Sequence, residues 1–294
     1  MRGRILAAHA LVKTGHARDT QAVVAAFEAE PFWGVRCEWA DALGDAQTGV
    51  ALDGLLTLAG THTDPLSLAA LLRQLGRYRD ARIVACLTAR LREGLPPRAH
   101  EAALDALGAQ RALAPGDTLT THAHVPGHGG FAQRGALRGL GKSHQRSARE
   151  PLQEALRPGV LHDLVRVAAA EGLGELTPHL ERREQAPAKE ALEDALRDPH
   201  ARVRRAAALA LSAAGASERA EALSAYARTL PYQERVGIER LISKLGKQDA
   251  DAAGKQLDGL RDKLRLLEER LSVLEARDAA AAAPGNAGGA REPQ

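Results

Sequence analysis

Aromatic residues make up only 3% of this 294-residue chain, and β-branched residues are sparse. A β-sheet needs both to fill its pleated faces, so the composition argues against a sheet-rich fold. Cysteine is nearly absent as well. Cys37 and Cys86 stand far apart, match no CxxC pair and read as reduced, buried thiols of a cytosolic protein. No apolar run approaches the roughly 18–20 residues of a membrane span. Arg4, His9 and Lys13 interrupt the N-terminal segment before it reaches signal-peptide length. The chain therefore reads as soluble and cytoplasmic. A charge excess of one sign is also missing. Forty basic and 37 acidic residues, interspersed, leave a formal charge of +3, which argues against nucleic acid as a partner.

Alanine and leucine are abundant, with 60 and 43 copies. Both favour helix, and alanine-rich contacts favour many thin layers over one thick core. The order of residues then shows a repeat. Leu11-Val12, Leu43-Gly44, Leu75-Gly76, Leu107-Gly108, Leu140-Gly141, Leu173-Gly174, Leu211-Ser212 and Leu245-Gly246 recur at spacings of 32, 32, 32, 33, 33, 38 and 34. One, four and five positions before the second residue of each pair, all 24 positions are apolar, against 45% for the chain as a whole. These offsets share one helical face, so each unit ends in an amphipathic helix. Glycine at the second residue in six of the eight pairs predicts a left-handed helix stop. Between anchors there is room for one more helix, for example Asp80 to Arg92 or Glu184 to Leu196. Glu30-Pro31, Asp64-Pro65, Pro96-Pro97 and Asp198-Pro199 break the chain between them.

Two helices per roughly 32 residues make an all-α, HEAT-like α-solenoid of about eight helix pairs. Arg4, Arg36, Arg166 and Arg204 stand eight residues before their anchors, where an arginine can bond the inter-helix turn of a neighbouring unit. The fifth unit departs from the pattern. Pro115-Gly116, Pro126-Gly127 and Gly129-Gly130 predict a loop over 112–130 in place of its first helix. In the seventh unit, Glu181 to Glu190 is expected to absorb the extra residues.

The solenoid is thus expected over 1–246. Over 247–278, Leu257, Leu260, Leu264, Leu267, Leu271 and Leu274 alternate at spacings of 3 and 4 as a heptad seam flanked by mixed charge. That seam is expected to cap the last repeat, with self-association as the alternative. The low-complexity tail, 279–294, is expected to be disordered. At the other end Met1 precedes the second helix of a unit whose first helix is missing, which predicts an open apolar face.

Catalytic motifs are scarce. The one His-Glu dipeptide, His100-Glu101, is followed by Leu104 where HExxH needs its second histidine, and there is no GxSxG elbow, Walker loop or dinucleotide fingerprint. His122, His124 and His128 form a weak metal candidate within the 112–130 segment, weighed against a plain solvated loop. Trp39 falls on an apolar anchor position and reads as core. Phe32 and Trp33 sit on a turn, where packing between repeats is expected.

Glu30-Pro31-Phe32-Trp33-Gly34-Val35-Arg36, with Glu38 and Ala40 to Gly44, resembles the C-terminal HEAT-repeat region of bacterial M1-family zinc aminopeptidases. Arg4 to Ala8, Phe131 to Leu137 with Gly139-Leu140-Gly141, and the closing leucine heptads add to the likeness. The resemblance implies a solenoid that packs against a peptidase domain and shapes access to its active site. In such a protein zinc belongs to the catalytic domain. GxMEN and HExxH are absent and Met1 is the only methionine, so this chain is expected to be non-catalytic and to carry no cofactor. The alternative is a free-standing HEAT-repeat scaffold for a protein partner. A third reading, a HEAT-like DNA glycosylase, needs a basic, aromatic-lined face, which this composition does not supply.

Overall fold

The computed structural model describes residues 1–282, and all its regular structure is helical, with no strand among those residues. Fifteen α-helices, numbered in chain order, build it. One layer holds the anchor-bearing second helices of successive units: α1 (Arg2–Lys13), α3 (Trp33–Ala46), α5 (Pro65–Leu75), α7 (Pro97–Gly108), α9 (Phe131–Ser143), α11 (Asp163–Leu176) and α13 (Ala201–Ala213). Each packs on the next in that order. The other layer holds the first helices: α2 (Ala17–Phe27), α4 (Gly49–Thr61), α6 (Ala81–Glu93), α8 (Gly116–His124), α10 (Arg149–Leu156), α12 (Arg182–Asp194) and α14 (Ala220–Arg228). The last helix, α15 (Tyr232–Ala282), begins in the solenoid and supplies the described residues of a second compact unit, which starts at Ser243. It runs unbroken through Gly246 and past Asp278. The rest of the tail, 283–294, lies outside the described residues. The all-α HEAT-like solenoid expected from the sequence is the observed fold.

Local signals place the helix starts. The Asp64 carboxylate accepts the Ser67 amide at 2.9 Å with Pro65 as first helical residue, and Asp80 accepts the Arg82 amide at 2.8 Å. The apolar anchor positions form the core. From the second unit through the seventh, every one of them is buried. Each leucine among them contributes about 1.5–3 kcal/mol on burial.

Three local expectations need correcting. The anchor glycines are not left-handed helix stops: Gly44, Gly76, Gly108, Gly141 and Gly174 all lack positive φ. Gly76, Gly108, Gly141 and Gly174 allow neighbouring second helices to approach backbone to backbone, whereas Gly44 makes room for the Gln74 side chain. A Cβ on Gly108 would lie 2.2 Å from the Gly139 Cα, and one on Gly141 would lie 2.5 Å from the Gly172 Cα.

The fifth unit also keeps its first helix. α8 occupies the middle of the expected loop because Pro115 stands just before it, where a missing amide costs nothing. Leu119 and Ala123, one turn apart, are buried against α9. Gly116 opens the helix, the later breakers fall beyond its end, and Gly129 and Gly130 adopt φ of +61° and +64° in the turn into α9. In the seventh unit, Glu181 to Glu190 is not an insertion but the cap and first part of α12. The helix continues through Pro187 and has 13 residues against 8 for α10 of the unit before, while the link Ala195 to His200 is no longer than Arg157 to His162.

Candidate functional site

The repeated arginines lie at the inter-helix turns. Arg4 Nε donates to Glu30 at 2.9 Å, and the Glu30 carboxylate is 3% exposed. Arg36 reaches the Glu28 carbonyl at 3.2 Å. Arg166 is buried, donates to the Leu161 carbonyl at 3.2 Å and pairs with the fully buried Asp198 carboxylate of the next unit. Arg204 donates to the Asp198 and Pro199 carbonyls at 2.8 and 3.0 Å. Arg4 and Arg166 thus cross to the next unit, whereas Arg36 and Arg204 brace the turn before their own helix.

The FWGVR segment opens α3. Val35 is buried, Gly34 lies under the Phe32 ring, and Phe32 and Trp33 pack on each other at 5.6 Å while staying 39% and 46% exposed. The neighbouring repeat does not cover them. Trp39 is buried, and its indole donates to the Arg4 carbonyl at 3.2 Å.

The three-histidine candidate is not gathered as its spacing suggests. His122 lies on α8 edge-on to His100 of α7, with ring centroids 5.0 Å apart. His124, two residues on, faces elsewhere and meets the Thr120 carbonyl through Nδ1 at 2.8 Å. The His128 side chain lies outside the described residues. Among those that are described, no three His, Cys, Asp or Glu residues come together as a metal site. Cys37 and Cys86 are half-buried free thiols, each pushed up by burial.

Across the second-helix layer runs a ladder of ion pairs whose sign alternates helix by helix. Asp45 of α3 pairs with Arg77, just beyond the end of α5, at 2.5 Å. Glu101 of α7 meets Arg134 and Arg138 of α9 at 2.7 and 2.6 Å, and Asp105 meets Lys142 at 2.7 Å. Arg138 also bonds Glu171 of α11 at 2.6 Å. Burial alone would lower the Arg138 guanidinium, but the bond to Glu171 and the charges of Glu171, Glu101 and Asp105 raise it. These charges are matched and serve to join the repeats.

The turns that follow the second helices are different. Tyr78 Oη donates to the Leu43 carbonyl at 2.6 Å, Gln110 Nε2 donates to the Tyr78 carbonyl at 3.1 Å, and Gln145 Nε2 donates to the Arg111 carbonyl at 3.2 Å. His144 then stacks on His179 with ring centroids 3.5 Å apart and 16° between planes. Turns of five successive units are thereby stitched into one edge.

Arg79, Arg111, His144 and His179 stand on this edge, and among the described residues none of them makes an ion pair with a carboxylate. The exposed Arg79 guanidinium bonds only the carbonyls of Gly76 and Tyr78. Partial burial and the neighbouring Arg111 charge pull it below the ordinary arginine range. Burial, then His179, Arg111 and Arg79, hold His144 down as well. Glu175 is the nearby carboxyl; burial pushes it up, Lys142 opposes that, and Asp105 adds to it.

Three positions after the anchor a left-handed residue recurs: Gly15, Gln47, Arg111, His144 and Gly215, with φ between 51° and 75°. Glycine adopts that conformation freely, whereas a side chain there carries a cost of order 1 kcal/mol. Arg111 and His144 hold it on the edge. Residue type gives no sign of these two positions, although their constant offset from the anchor is legible in the sequence. A cleft of about 570 Å³ between α12, α13 and α14 is lined by Asp198, Arg204 and Tyr226, groups already engaged in or beside the inter-helix turn.

No helix among the described residues is long and apolar enough to cross a membrane. No family model matches the chain, and no curated protein matches it. Solved structures do. The CpcE–CpcF complex of phycocyanin lyase from Nostoc sp. PCC7120 superposes with a TM-score of 0.52 at 21% identity, over 77% of this chain and 94% of that one. Human deoxyhypusine hydroxylase matches with a TM-score of 0.34 at 17% identity, over 70% of this chain and 88% of that one. An engineered protein gives 0.42 at 17%, over 82% and 78%. Only the first superposes well enough to bear on the fold, and at that identity it bears on nothing else. The likeness to M1 aminopeptidases is overturned: the structure that does superpose is that of the phycocyanin lyase complex, and no aminopeptidase is found among the structural neighbours. The chain has a HEAT-like helical repeat fold.

Proposed function

We propose that this chain is a free-standing, non-catalytic HEAT-repeat scaffold that holds a protein partner by an acidic segment laid along the stitched turn edge. The observation that carries the reading is the left-handed pair Arg111 and His144. At the equivalent position Gly15 and Gly215 avoid the strain and Gln47 turns its side chain back to the Gly44 carbonyl, yet on this edge a cation and an imidazole accept it without a carboxylate partner. Strain of that kind persists where the side chain has a use. Arg79 and Arg111 bring two like charges together without a carboxylate partner, and a planar guanidinium suits bidentate capture of carboxylates. The absence of exposed aromatic side chains on the edge and the near-balanced charge favour an acidic peptide over nucleic acid. The CpcE–CpcF structure is a complex of two chains; the reading rests on this chain's own edge. The reading assigns no cofactor to this chain.

Fluorescence anisotropy with a labelled glutamate-rich peptide tests the proposal. Saturable binding that weakens with salt is expected, with a loss of about tenfold or more in Arg79→Glu/Arg111→Glu, of the order measured for close charge pairs. Glu175→Gln, which removes a repelling carboxylate, tightens binding. A peptide that does not bind, or binds the double variant equally well, overturns the reading. Tighter binding to single-stranded DNA of equal charge would favour the nucleic-acid alternative instead.

A further inference from the structure

The leucine heptads form a second surface that the edge does not explain. Leu257, Leu260, Leu264, Leu267, Leu271 and Leu274 are all helical, and each is 55–59% exposed. Spacings of 3 and 4 place them on one stripe about 26 Å long at 1.5 Å per residue. A leucine gains about 1.5–3 kcal/mol when fully buried, so six in a row leave a large driving force unsatisfied.

The charges around the stripe are sorted. Arg261, beside the seam, bonds Asp258 at 3.3 Å within the helix, and away from the seam Arg265 pairs with Glu269 at 3.6 Å. Lys263, Glu268 and Arg270, which flank the seam, make no ion pair among the described residues.

We propose that this seam is closed by a second copy of the chain, in a parallel, in-register, two-stranded coiled coil. With leucines 257, 264 and 271 at a and 260, 267 and 274 at d, Lys263 falls at g and Glu268 at e, five residues on. In a parallel pair g of one helix faces e of its partner, so Lys263 meets Glu268 of the other copy twice by symmetry. Antiparallel pairing would instead set Lys263 against Arg270, two cations, and the gain from Arg261 against Glu268 would be spent on that repulsion. The stripe is self-complementary in shape, and its flanking charges choose the direction. This inference goes beyond the scaffold reading and depends only on the seam, so either can fail alone.

Sedimentation equilibrium of the full chain over a concentration series decides it. The expected result is a mass rising from 31.2 kDa toward twice that value. Leu264→Lys/Leu267→Lys should stay monomeric while keeping its circular dichroism, since both side chains are exposed. Lys263→Glu alone should weaken the dimer about tenfold, and Lys263→Glu/Glu268→Lys should restore it; each such pair is of the size measured in coupled charge cycles. A monomer at every concentration, a trimer or larger species, or a dimer indifferent to the leucine double variant overturns the proposal. A dimer tightened by Lys263→Glu would be antiparallel and overturns it equally.

Discussion

Arg166 and Arg204 show how one sequence position takes on two different energetic roles. Both stand eight residues before an anchor, and that constant offset made them readable from the sequence. Their partners were not readable. Arg166 neutralises a carboxylate with no solvent access, that of Asp198, whereas Arg204 meets only uncharged partners, the Asp198 and Pro199 carbonyls and the Tyr226 hydroxyl. Removing one member of a buried pair strands the other charge, at a cost of about 3–5 kcal/mol. Losing a bond to a neutral carbonyl costs about 0.5–1.5 kcal/mol. Urea unfolding should therefore show Arg166→Ala to be several-fold more damaging than Arg204→Ala; equal losses would mean that Asp198 finds another partner or a proton. Arg111 and His144 escaped the sequence reading because their distinction is a backbone angle. Nothing in the residue type says that an arginine stands where glycine stands in other units.

Individual helices obey the repeat, and they depart from it for reasons of packing. The residues 112–130 contain enough proline and glycine to suggest a loop, yet α8 forms between the breakers because Leu119 and Ala123 find a buried site against α9. Local propensity was overridden by tertiary burial. The anchor glycines taught the same lesson in reverse. Their recurrence was legible, but the cause is the neighbouring helix's backbone and not their own φ. Gly141→Ala should thus destabilise the solenoid by about 1–3 kcal/mol or more, the range for overpacking a filled contact, since the obstructing atoms are backbone. Gly237→Ala in α15, with nothing within 4 Å of the added methyl, should stabilise by about 0.5–1 kcal/mol. Paired thermal melts check both signs. A neutral Gly141→Ala would show that α9 and α11 can separate without loss.

Acid response belongs to the whole molecule, because the titrating groups are spread over several units. Burial holds His100, His122 and His144 below the ordinary value of 6.5, with His122 adding to the effect on His100. Each imidazole binds its proton less tightly in the folded chain than in the unfolded one. The unfolded state therefore takes up protons first, and stability falls as pH drops below about 6.5. Asp41 and Glu175, pushed up by burial, act in the opposite direction, two carboxyls against three imidazoles. Melting temperature should fall between pH 7 and pH 5. His100→Met, which also removes a buried ring nitrogen without a partner, should flatten the slope. An unchanged melting point across that range would refute the assignment.

The order of residues by itself determined the helical class, the unit length, the register of the second helices and the leucine seam. Periodicity and composition act along one helix at a time, and they need no knowledge of what lies beside it. Tertiary structure alone decided why the anchor glycines are glycine, that α8 exists, which arginine meets a buried carboxylate, and that Arg79, Arg111, His144 and His179 share an edge. It also removed the aminopeptidase likeness, since a short motif at a helix start reports how a repeat packs and not which larger protein it came from. The physical reason is the same throughout: these properties belong to contacts between units, and a contact between residues about 33 positions apart becomes visible only when the repeats are stacked.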